Sequence, residues 1–374
     1  MRIHYVSGSR ADFGLMRRSL QAIRDADGLS LQLILTGQAL LERYGSVESE
    51  TTAAGLEIAC RVPVQLEGGD RSEMAKAFAV EVAGISEFWT RSPPDLALVL
   101  GDRGEMLAAT VSAFNLAIPV AHIHGGERSG SIDDGFRHSI SKLATYHLVA
   151  NADSLQRLLN MGEERERIVQ VGAPGLVGLT DGLEPDRNWL SSHFGIDADR
   201  PVALVLFHPV VTEGDVGAQF EAVLSAAAAA GYQSILLRPN SDSGAAQIDE
   251  VIDCHAAKGA LRALAHLDRA SFVKAVASCD VMLGNSSAGI IESASLGTPC
   301  VNVGTRQDGR LRNENIVDCV EVETENIVAA LISASRLEGP FGNVYGDGGA
   351  DEKIVAALRK FAANPAPLQK RLTY

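Results

Sequence analysis

At 374 residues the chain is too long for a single hydrophobic core, and its length predicts two domains. Its composition, 46% hydrophobic and 21% charged, is that of an ordinary soluble protein. The formal net charge of −14 argues against nucleic acid as a partner, because counterion release needs a basic face, but a small anionic ligand needs only a few donors.

The five cysteines and the first residues indicate the cell compartment. The cysteines show no Cys-x-x-Cys spacing, so we expect core thiols in a reducing cytoplasm. The chain starts with a strand-like segment instead of a signal peptide, and it contains no apolar run long enough to cross a bilayer. These features predict a cytoplasmic protein with no membrane partner.

Short apolar runs alternate with longer amphipathic stretches, which predicts parallel sheets flanked by helices, an α/β fold. The series restarts near Pro201, so we expect two Rossmann-like domains over residues 1–175 and 176–350, with a linker at about 174–200. A helix within 351–374 is expected to pack back on the first domain. Predicted strands cover residues 3–6, 30–36, 96–100, 120–124, 146–149, 168–171, 203–207, 233–238, 281–284 and 300–303. Predicted helices cover residues 15–25, 71–86, 106–115, 139–144, 154–161, 217–230, 272–279, 290–296, 324–331 and 352–362.

The first predicted strand leads into a Ser-Gly-Ser-Arg turn and then a helix. Backbone N–H groups at a helix start, together with Arg10, suit a phosphate. A glycine–serine turn before a helix is also a common structural feature. Both interpretations stay open for this turn.

Ionisable groups are densest in residues 122–138, directly after an apolar run. This segment holds three imidazoles, three carboxylates and two guanidiniums. Burying charge is costly unless each group is paired, so packing alone does not explain the pattern. Asp102 follows the neighbouring apolar run, and carboxylates from two strand ends are how an open α/β sheet builds an acid–base site. We therefore place the chemistry here, although at least one of His122 and His124 fits a core histidine.

The second half carries polar groups after several predicted strands. Residues 285–287 offer N–H groups and two hydroxyls at a helix start, which suits a diphosphate, and Glu292 on the first turn can accept from ribose hydroxyls. Simple N-capping is the structural alternative. His208, Asn240 and Arg306 lie in further strand-end loops, where an open sheet binds its ligand. Together these loops predict a nucleotide diphosphate site.

An ordered set of motifs resembles one enzyme family over nearly the whole chain. The motifs are Ser9-Arg10-Ala11-Asp12, Gly101-Asp102-Arg103, Gly125-Gly126-Glu127, Ser129-Gly130-Ser131-Ile132-Asp133-Asp134, Arg137-His138-Ser139-Ile140-Ser141-Lys142-Leu143, Pro239-Asn240, Gly284-Asn285-Ser286-Ser287 and Gly304-Thr305-Arg306-Gln307. They resemble the hydrolysing UDP-N-acetylglucosamine 2-epimerases of sialic acid and related nonulosonate biosynthesis, including the epimerase part of the animal epimerase/kinase.

The resemblance implies a fold and a reaction. The expected fold has two Rossmann-like domains facing across a cleft, the GT-B-type architecture. The expected reaction converts a nucleotide-linked N-acetylglucosamine-type sugar to the free manno-configured 2-acetamido sugar and nucleoside diphosphate. Elimination of H2 and the diphosphate gives a glycal, and water then adds to it. This chemistry demands no redox cofactor and no metal, and the sequence shows no metal-ligand spacing. Members are commonly homo-oligomers, so a dimer or tetramer is expected.

The resemblance also implies residue roles. Asp102, Glu127 and one of Asp133 or Asp134 are expected to be the catalytic carboxylates. Arg137 and His138 either orient these carboxylates or serve as ion-pair partners in the following helix. The expected substrate contacts are Arg10, Asp12, His208, Asn240, Ser286, Ser287, Glu292 and Arg306.

The chain departs from the family pattern beside the expected sugar site. Ala39 stands where relatives usually carry a histidine, Gly104 replaces a bulky aromatic residue, and the turn at 172–177 lacks the usual aspartate. A larger pocket would accept a differently substituted sugar, such as a 4-acetamido-6-deoxy form, or another nucleotide. Alternative functions are a non-hydrolysing epimerase, a sugar-transferring enzyme and a non-catalytic nucleotide-sugar sensor.

Overall fold

The apolar runs of the sequence form two parallel β-sheets, one in each of two units. The structure, a computed structural model, describes residues 1–41, 47–64, 71–130, 133–210, 214–238, 244–257, 262–264 and 267–373. One unit comprises Met1–Gly178 together with Tyr345–Tyr374, and the other comprises Leu179–Val344. The division lies a few residues from the expected boundaries at 175 and 350.

The sheet of the first unit has the strand order β3-β2-β1-β4-β5-β6-β7, with parallel neighbours. Its strand order reverses between β1 and β4, the place where doubly wound folds bind their ligands. The strands are β1 (Arg2–Ser7), β2 (Ser30–Thr36), β3 (Ile58–Val62), β4 (Leu96–Leu100), β5 (Val120–Ile123), β6 (Tyr146–Val149) and β7 (Ile168–Gln170). The helices are α1 (Arg10–Asp25), α2 (Val47–Ala53), α3 (Arg71–Arg91), α4 (Gly104–Asn115), α5 (Asp133–Leu143), α6 (Ala152–Asn160) and, late in the chain, α13 (Ala350–Ala363).

The sheet of the second unit has the order β10-β9-β8-β11-β12-β13 and is also parallel. Its strand order reverses between β8 and β11. The strands are β8 (Val202–Leu206), β9 (Gln233–Leu237), β10 (Arg262–Leu264), β11 (Val281–Gly284), β12 (Cys300–Val303) and β13 (Ile316–Cys319). The helices are α7 (Arg187–Phe194), α8 (Val216–Ala229), α9 (Ala245–Ala257), α10 (Arg269–Ser278), α11 (Ser287–Ile291) and α12 (Thr324–Ala334). The expected α/β class with two Rossmann-like sheets is confirmed.

Continuous apolar runs allow the central strands to be buried on both faces. All residues of β4 are buried, and those of β5 and β11 are as well. Helix α13 packs against α1 in the first unit, and Phe361 of α13 stacks on Tyr146 of β6 with ring centroids 3.9 Å apart.

Some elements differ from the sequence-based expectation. The apolar pattern does not predict β3, β10 or β13, which are edge strands, because an edge strand is partly exposed and carries polar residues such as Arg61 and Asp318. Residues 174–200, expected to be a linker, contain α7, whose N-terminus is capped by Asp186. In the parts of the chain that the structure describes, no helix is long and apolar enough to span a membrane.

Candidate active site

Two loops of the first unit begin at neighbouring strand ends. β4 pairs in parallel with β5, so the loops that follow them lie at the same edge of the sheet. Asp102 lies in the first loop and Glu127 in the second. Helix α5 follows the second loop and begins at Asp133, six residues before the predicted start at Ser139. The early start has a physical cause: Asp133 and Asp134 suit the positive end of the helix dipole, whereas the apolar periodicity starts only later.

Arg137 of α5 lies at the centre of this site and is 1% exposed. Its Nη2 donates a hydrogen bond to Asp102 Oδ2. Its Nη1 lies 3.6 Å from Glu127 Oε2, and its Nε lies 3.5 Å from Asp134 Oδ1. One guanidinium thus faces three carboxylates from three segments. Arg137 lies in α5 and pairs with carboxylates, as one of the two alternatives expected; its orienting role stays a prediction.

Glu127 has a second partner that the sequence did not assign. Its Oε1 is hydrogen-bonded to Nδ1 of His124, and its side chain is 3% exposed. His124 was expected to end the strand, but β5 ends at Ile123 and His124 has a φ of +60°, the left-handed region. This turn aims the imidazole at Glu127. The three-residue spacing between His124 and Glu127 was the sequence feature that could have indicated this pair.

Asp134 is committed to the shape of its own loop. Its carboxylate accepts from the N–H of Ser129 at 2.9 Å, the hydroxyl of Ser129 at 2.8 Å and the N–H of Gly130 at 2.9 Å. Burial opposes ionisation, but these hydrogen bonds lower the pKa of Asp134 below its ordinary value. Asp133 is half-buried on the first turn of α5. His138, also half-buried, has a pKa lowered by burial.

Of His122 and His124, His122 is the core histidine, and it lies in β5. Its Nε2 lies 2.7 Å from the carbonyl oxygen of Gly101, which can only accept, so Nε2 carries the proton. Its Nδ1 then accepts from the hydroxyl of Ser141 at 3.1 Å. Burial lowers the pKa of His122 to about 3, so the imidazole is neutral. It fixes the backbone directly before Asp102.

The loop after β1 is shaped by Asp12. Ser9 and Asp12 form a capping box at the start of α1, and Asp12 also accepts from the hydroxyl of Ser7 at 2.6 Å and the N–H of Gly8 at 2.9 Å. Burial raises the pKa of Asp12 to about 6 in spite of these donors. Asp12 is 6% exposed, so the structure gives this residue a loop-forming position. Arg10, the first residue of α1, pairs with Glu50 of α2 at 2.5 Å.

Glu105 fills a slot between two glycines, a feature that the sequence did not predict. A Cβ on Gly8 would lie 2.8 Å from Glu105 Cγ, and one on Gly37 would lie 2.7 Å from Glu105 Oε1. Arg103 pairs with Glu105 at 3.1 Å. A Cβ on Gly104 would meet nothing within 4 Å, so this position borders open space.

Ala39 and Glu81 lie behind these loops. Ala39 is 2% exposed and donates its N–H to the carbonyl of Gly8 at 3.0 Å. Thr36 Oγ1 lies 2.9 Å from the carbonyl of Val62 and 3.1 Å from Glu81 Oε1, yet a hydroxyl has one proton. A protonated Glu81 supplies the second proton, in agreement with burial raising its pKa to about 8.

The second unit joins its two central loops through Asn285. This side chain clasps the backbone of His208, accepting its N–H at 2.7 Å and donating to its carbonyl at 2.8 Å. Gly284 has a φ of +136°, and a Cβ there would collide with the carbonyl oxygen of Leu206, so only glycine fits. The loops after β8 and β11 are therefore held together.

Arg306 and Gln307, in the loop after β12, also contact Asn285. They donate to the carbonyl of Asn285 at 3.1 Å and 3.0 Å. Ser286 caps α11 and Ser287 is its first residue, and both are half-buried. Burial, and then the nearby Arg306, lower the pKa of His208 to about 3, so this imidazole is neutral.

One predicted contact has a different placement. Glu292 was expected on the first turn of its helix, but α11 starts three residues earlier than predicted and Glu292 follows its end, paired with Arg269 at 2.6 Å. Asn240 lies outside the described residues. The structure thus brings Asp102, Glu127 and Asp134 together in one unit, and His208, Asn285 and Arg306 together in the other.

Comparisons with known proteins identify the relatives of this chain. A model of the family described as UDP-N-acetylglucosamine 2-epimerase matches residues 21–359. The hydrolysing UDP-N,N'-diacetylbacillosamine 2-epimerase of Legionella pneumophila is 42% identical over 375 residues, covering 100% of this chain and 99% of that protein. The hydrolysing GDP/UDP-N,N'-diacetylbacillosamine 2-epimerase of Campylobacter jejuni is 30% identical over 85% of this chain and 84% of that protein. The structure of Neisseria meningitidis UDP-GlcNAc 2-epimerase bound to UDP-GlcNAc matches with a TM-score of 0.81 at 18% identity, covering 96% and 100% of the two chains.

Proposed function

The chain belongs to the UDP-N-acetylglucosamine 2-epimerase family and is a hydrolysing nucleotide-sugar 2-epimerase, and we propose how its residues divide the reaction. The first unit would supply the acid–base groups and the second the nucleotide-binding loops. The observation that carries the first part is the set of carboxylates around buried Arg137. Two of these carboxylates, Asp102 and Glu127, are held beside Arg137 in a position suited to accepting and returning protons.

The reaction needs two proton transfers at the sugar. A base takes H2 as the bond from C1 to the diphosphate oxygen breaks, which gives the glycal and the nucleoside diphosphate. Water then adds its hydroxyl to C1, and C2 receives a proton on the opposite face. We assign these transfers to Asp102, Glu127 and Asp133. Asp134 is excluded from this set because its carboxylate is used by Ser129 and Gly130.

The nucleotide would bind to the strand-end loops of the second unit. Asn285 holds the two loops beside the sheet reversal, which is where open α/β sheets bind ligands. Arg306 donates to the carbonyl of Asn285, the residue before Ser286, and its guanidinium can form charge-assisted hydrogen bonds with phosphate oxygens. His208 is neutral there and can contact an anion without its own charge.

The sugar we propose is a 2,4-diacetamido-2,4,6-trideoxy sugar carried on UDP, as named for the relative from Legionella pneumophila. The open space at Gly104 supports it, because an acetamido group at C4 needs more room than a hydroxyl. Ala39 contributes less than its sequence position suggests, since it is buried under the loop.

A panel of nucleotide sugars tests this proposal. The protein is incubated in deuterated water with UDP-N,N'-diacetylbacillosamine, its GDP counterpart and UDP-N-acetylglucosamine, and products are followed by NMR. We expect free sugar with deuterium at C2 and the highest kcat/KM for the UDP-linked diacetamido substrate. Turnover of UDP-N-acetylglucosamine alone would refute the sugar assignment, and a product still joined to nucleotide would refute hydrolysis.

We also propose a cytoplasmic homo-oligomer. The five cysteines are free thiols, as is usual in a reducing compartment. Helix α3 exposes Met74 by 55% and Val80 by 48%, and such apolar exposure favours association. Light scattering of the wild type and of Val80→Glu tests this: we expect a dimer or tetramer that dissociates in the variant, and a monomeric wild type would contradict it.

A further inference from the structure

Glu163, which lies shortly after α6, binds three cationic or donor groups outside the candidate active site. Its carboxylate, 1% exposed, accepts from Lys142 Nζ at 2.7 Å, from Lys370 Nζ at 2.7 Å and from His147 Nε2 at 3.1 Å. Burial opposes ionisation, but these donors lower the pKa of Glu163 to about 2. A carboxylate that is both buried and charged holds its partners firmly, because an unpaired charge there is costly.

Two of these partners link separate segments of the first unit. Lys142 lies in the last turn of α5, and Lys370 lies in the segment after α13. Lys370 also donates to the carbonyl of Ser141 at 3.1 Å. The last carbonyls of a helix lack partners within the helix, and a cation there interacts favourably with the helix dipole. Lys370 therefore caps the C-terminal end of α5, the helix that carries Arg137.

The segment after α13 is fixed before it reaches Lys370. Arg167, 4% exposed, donates to the carbonyl of Pro367 at 2.8 Å and to that of Gln369 at 3.2 Å. The hydroxyl of Tyr146 accepts the N–H of Ala366 at 2.7 Å. These bonds fix the backbone directly before Lys370 beside α5.

The end of α5 is in turn connected to the carboxylates. Ser141 Oγ donates to His122, and His122 donates to the carbonyl of Gly101, directly before Asp102. Asp102 pairs with Arg137, one α-helical turn before Ser141. A shift at the C-terminal end of α5 would therefore change both the position of Arg137 and the backbone before Asp102.

We propose that Lys370 and Glu163 are positioning residues that hold α5 in register with the loops after β4 and β5. This proposal rests on the catalytic role assigned above to the carboxylates around Arg137. Loss of the Lys370 ammonium removes the cap from Ser141 and one donor from Glu163, so α5 frays at its end. Since misplacement by about 1 Å can cost on the order of 100-fold in rate, we expect kcat to fall by roughly 10-fold for Lys370→Met. KM changes by less than about twofold, because the nucleotide-binding loops lie in the other unit.

The experiment compares Lys370→Met, Lys370→Arg and Glu163→Gln with the wild type, and uses Lys360→Met as the matched control. Lys360 is an exposed lysine on α13. Each variant is measured well below its melting temperature for kcat and KM with the substrate that the wild type turns over. Amide hydrogen exchange over residues 133–143 is measured in parallel and does not depend on activity.

We expect faster exchange in 133–143 together with the loss of kcat in Lys370→Met and Glu163→Gln. Recovery is expected in Lys370→Arg, which keeps a cationic donor, and no change in Lys360→Met. Unchanged exchange, or faster exchange with wild-type kcat, would overturn the positioning role. If Lys370→Met does not fold, Glu163→Gln and Lys370→Arg decide it by the same two measurements. A wild type that turns over no nucleotide sugar would instead refute the proposed function, while the exchange data would still report on the α5 cap.

Discussion

The two units handle polar groups at their strand ends in opposite ways. In the first unit, charged side chains from the loops after β4 and β5 and from α5 meet around Arg137, which is 1% exposed. In the second unit, the corresponding position is held by the neutral side chain of Asn285, which binds backbone groups. Carboxylates suit proton transfer, whereas fixed loops with an arginine beside them, here Arg306, suit a bound anion. The difference between the units therefore matches a division between chemistry and nucleotide binding.

The largest expected effect comes from removing the proton-carrying group in the first unit. We expect Glu127→Gln to lower kcat by about 10³-fold, because an amide keeps the shape of the side chain but cannot take or give the proton. UDP affinity, measured by calorimetry, should stay within twofold of wild type. Glu166→Gln, an exposed residue of the same unit, is the control. Loss of UDP binding in Glu127→Gln would contradict the division between the units.

The reverse pattern is expected in the second unit. Arg306→Ala removes a charge-assisted donor, which is worth about 1.5–3 kcal/mol, so we expect the Kd for UDP to rise by roughly 10- to 100-fold. At saturating substrate, kcat should change far less than KM. Arg336→Ala, at an exposed arginine of the same unit, should match wild type. A fall in kcat without a change in Kd would show that Arg306 acts in the chemical step and not in nucleotide binding.

A smaller effect is expected on the stability of the second unit. Asn285→Ala leaves the N–H and carbonyl of His208 without their partner, at a cost of about 1–3 kcal/mol in the free energy of unfolding. Chemical denaturation followed by circular dichroism measures this, with the exposed Asn326→Ala as control. Equal stability of the two variants would show that the clasp is dispensable.

The smallest effect concerns the pH dependence of stability in the first unit. The pKa of Glu163, about 2 in the folded state against an ordinary 4.5, is lowered, so its stabilising contribution is present above pH 4.5 and is lost as the pH falls towards 2. The pKa of Glu81 is raised to about 8, so its ionisation costs stability as the pH rises from 4.5 towards 8.

Two variants separate these contributions in urea titrations. Glu163→Gln should lose less stability than wild type between pH 4.5 and 2, and Glu81→Gln should gain relative to wild type as the pH approaches 8. Parallel pH profiles of the variants and the wild type would mean that the pKa values of Glu163 and Glu81 are the same in the folded and unfolded states.

The sequence predicted the features that depend on local patterns. Apolar runs of strand length gave the central strands almost to the residue, as in the segment that forms β4 (Leu96–Leu100). The density of charge in residues 122–138 indicated the site, since buried charge without a purpose is costly. Three edge strands, β3, β10 and β13, were missed, and the mixed pattern that partial exposure leaves is illustrated by Arg61 in β3.

The contacts within the site needed the tertiary structure. Asp133 and Asp134 are adjacent aspartates that the sequence cannot tell apart. Only the structure shows that Asp134 is the one that accepts from the N–H groups of Ser129 and Gly130. The bond from His124 to Glu127 depends on a left-handed backbone that periodicity does not reveal.

By itself, the sequence determined where the central strands and most helices form and which segments are densest in ionisable groups, because periodicity and charge density are properties of neighbouring residues. The tertiary structure decided which carboxylates meet Arg137, which histidine is core and which is paired with Glu127, and how Lys370 reaches α5. These pairings join residues far apart in the chain. They follow from strand order and helix packing, which no local pattern encodes.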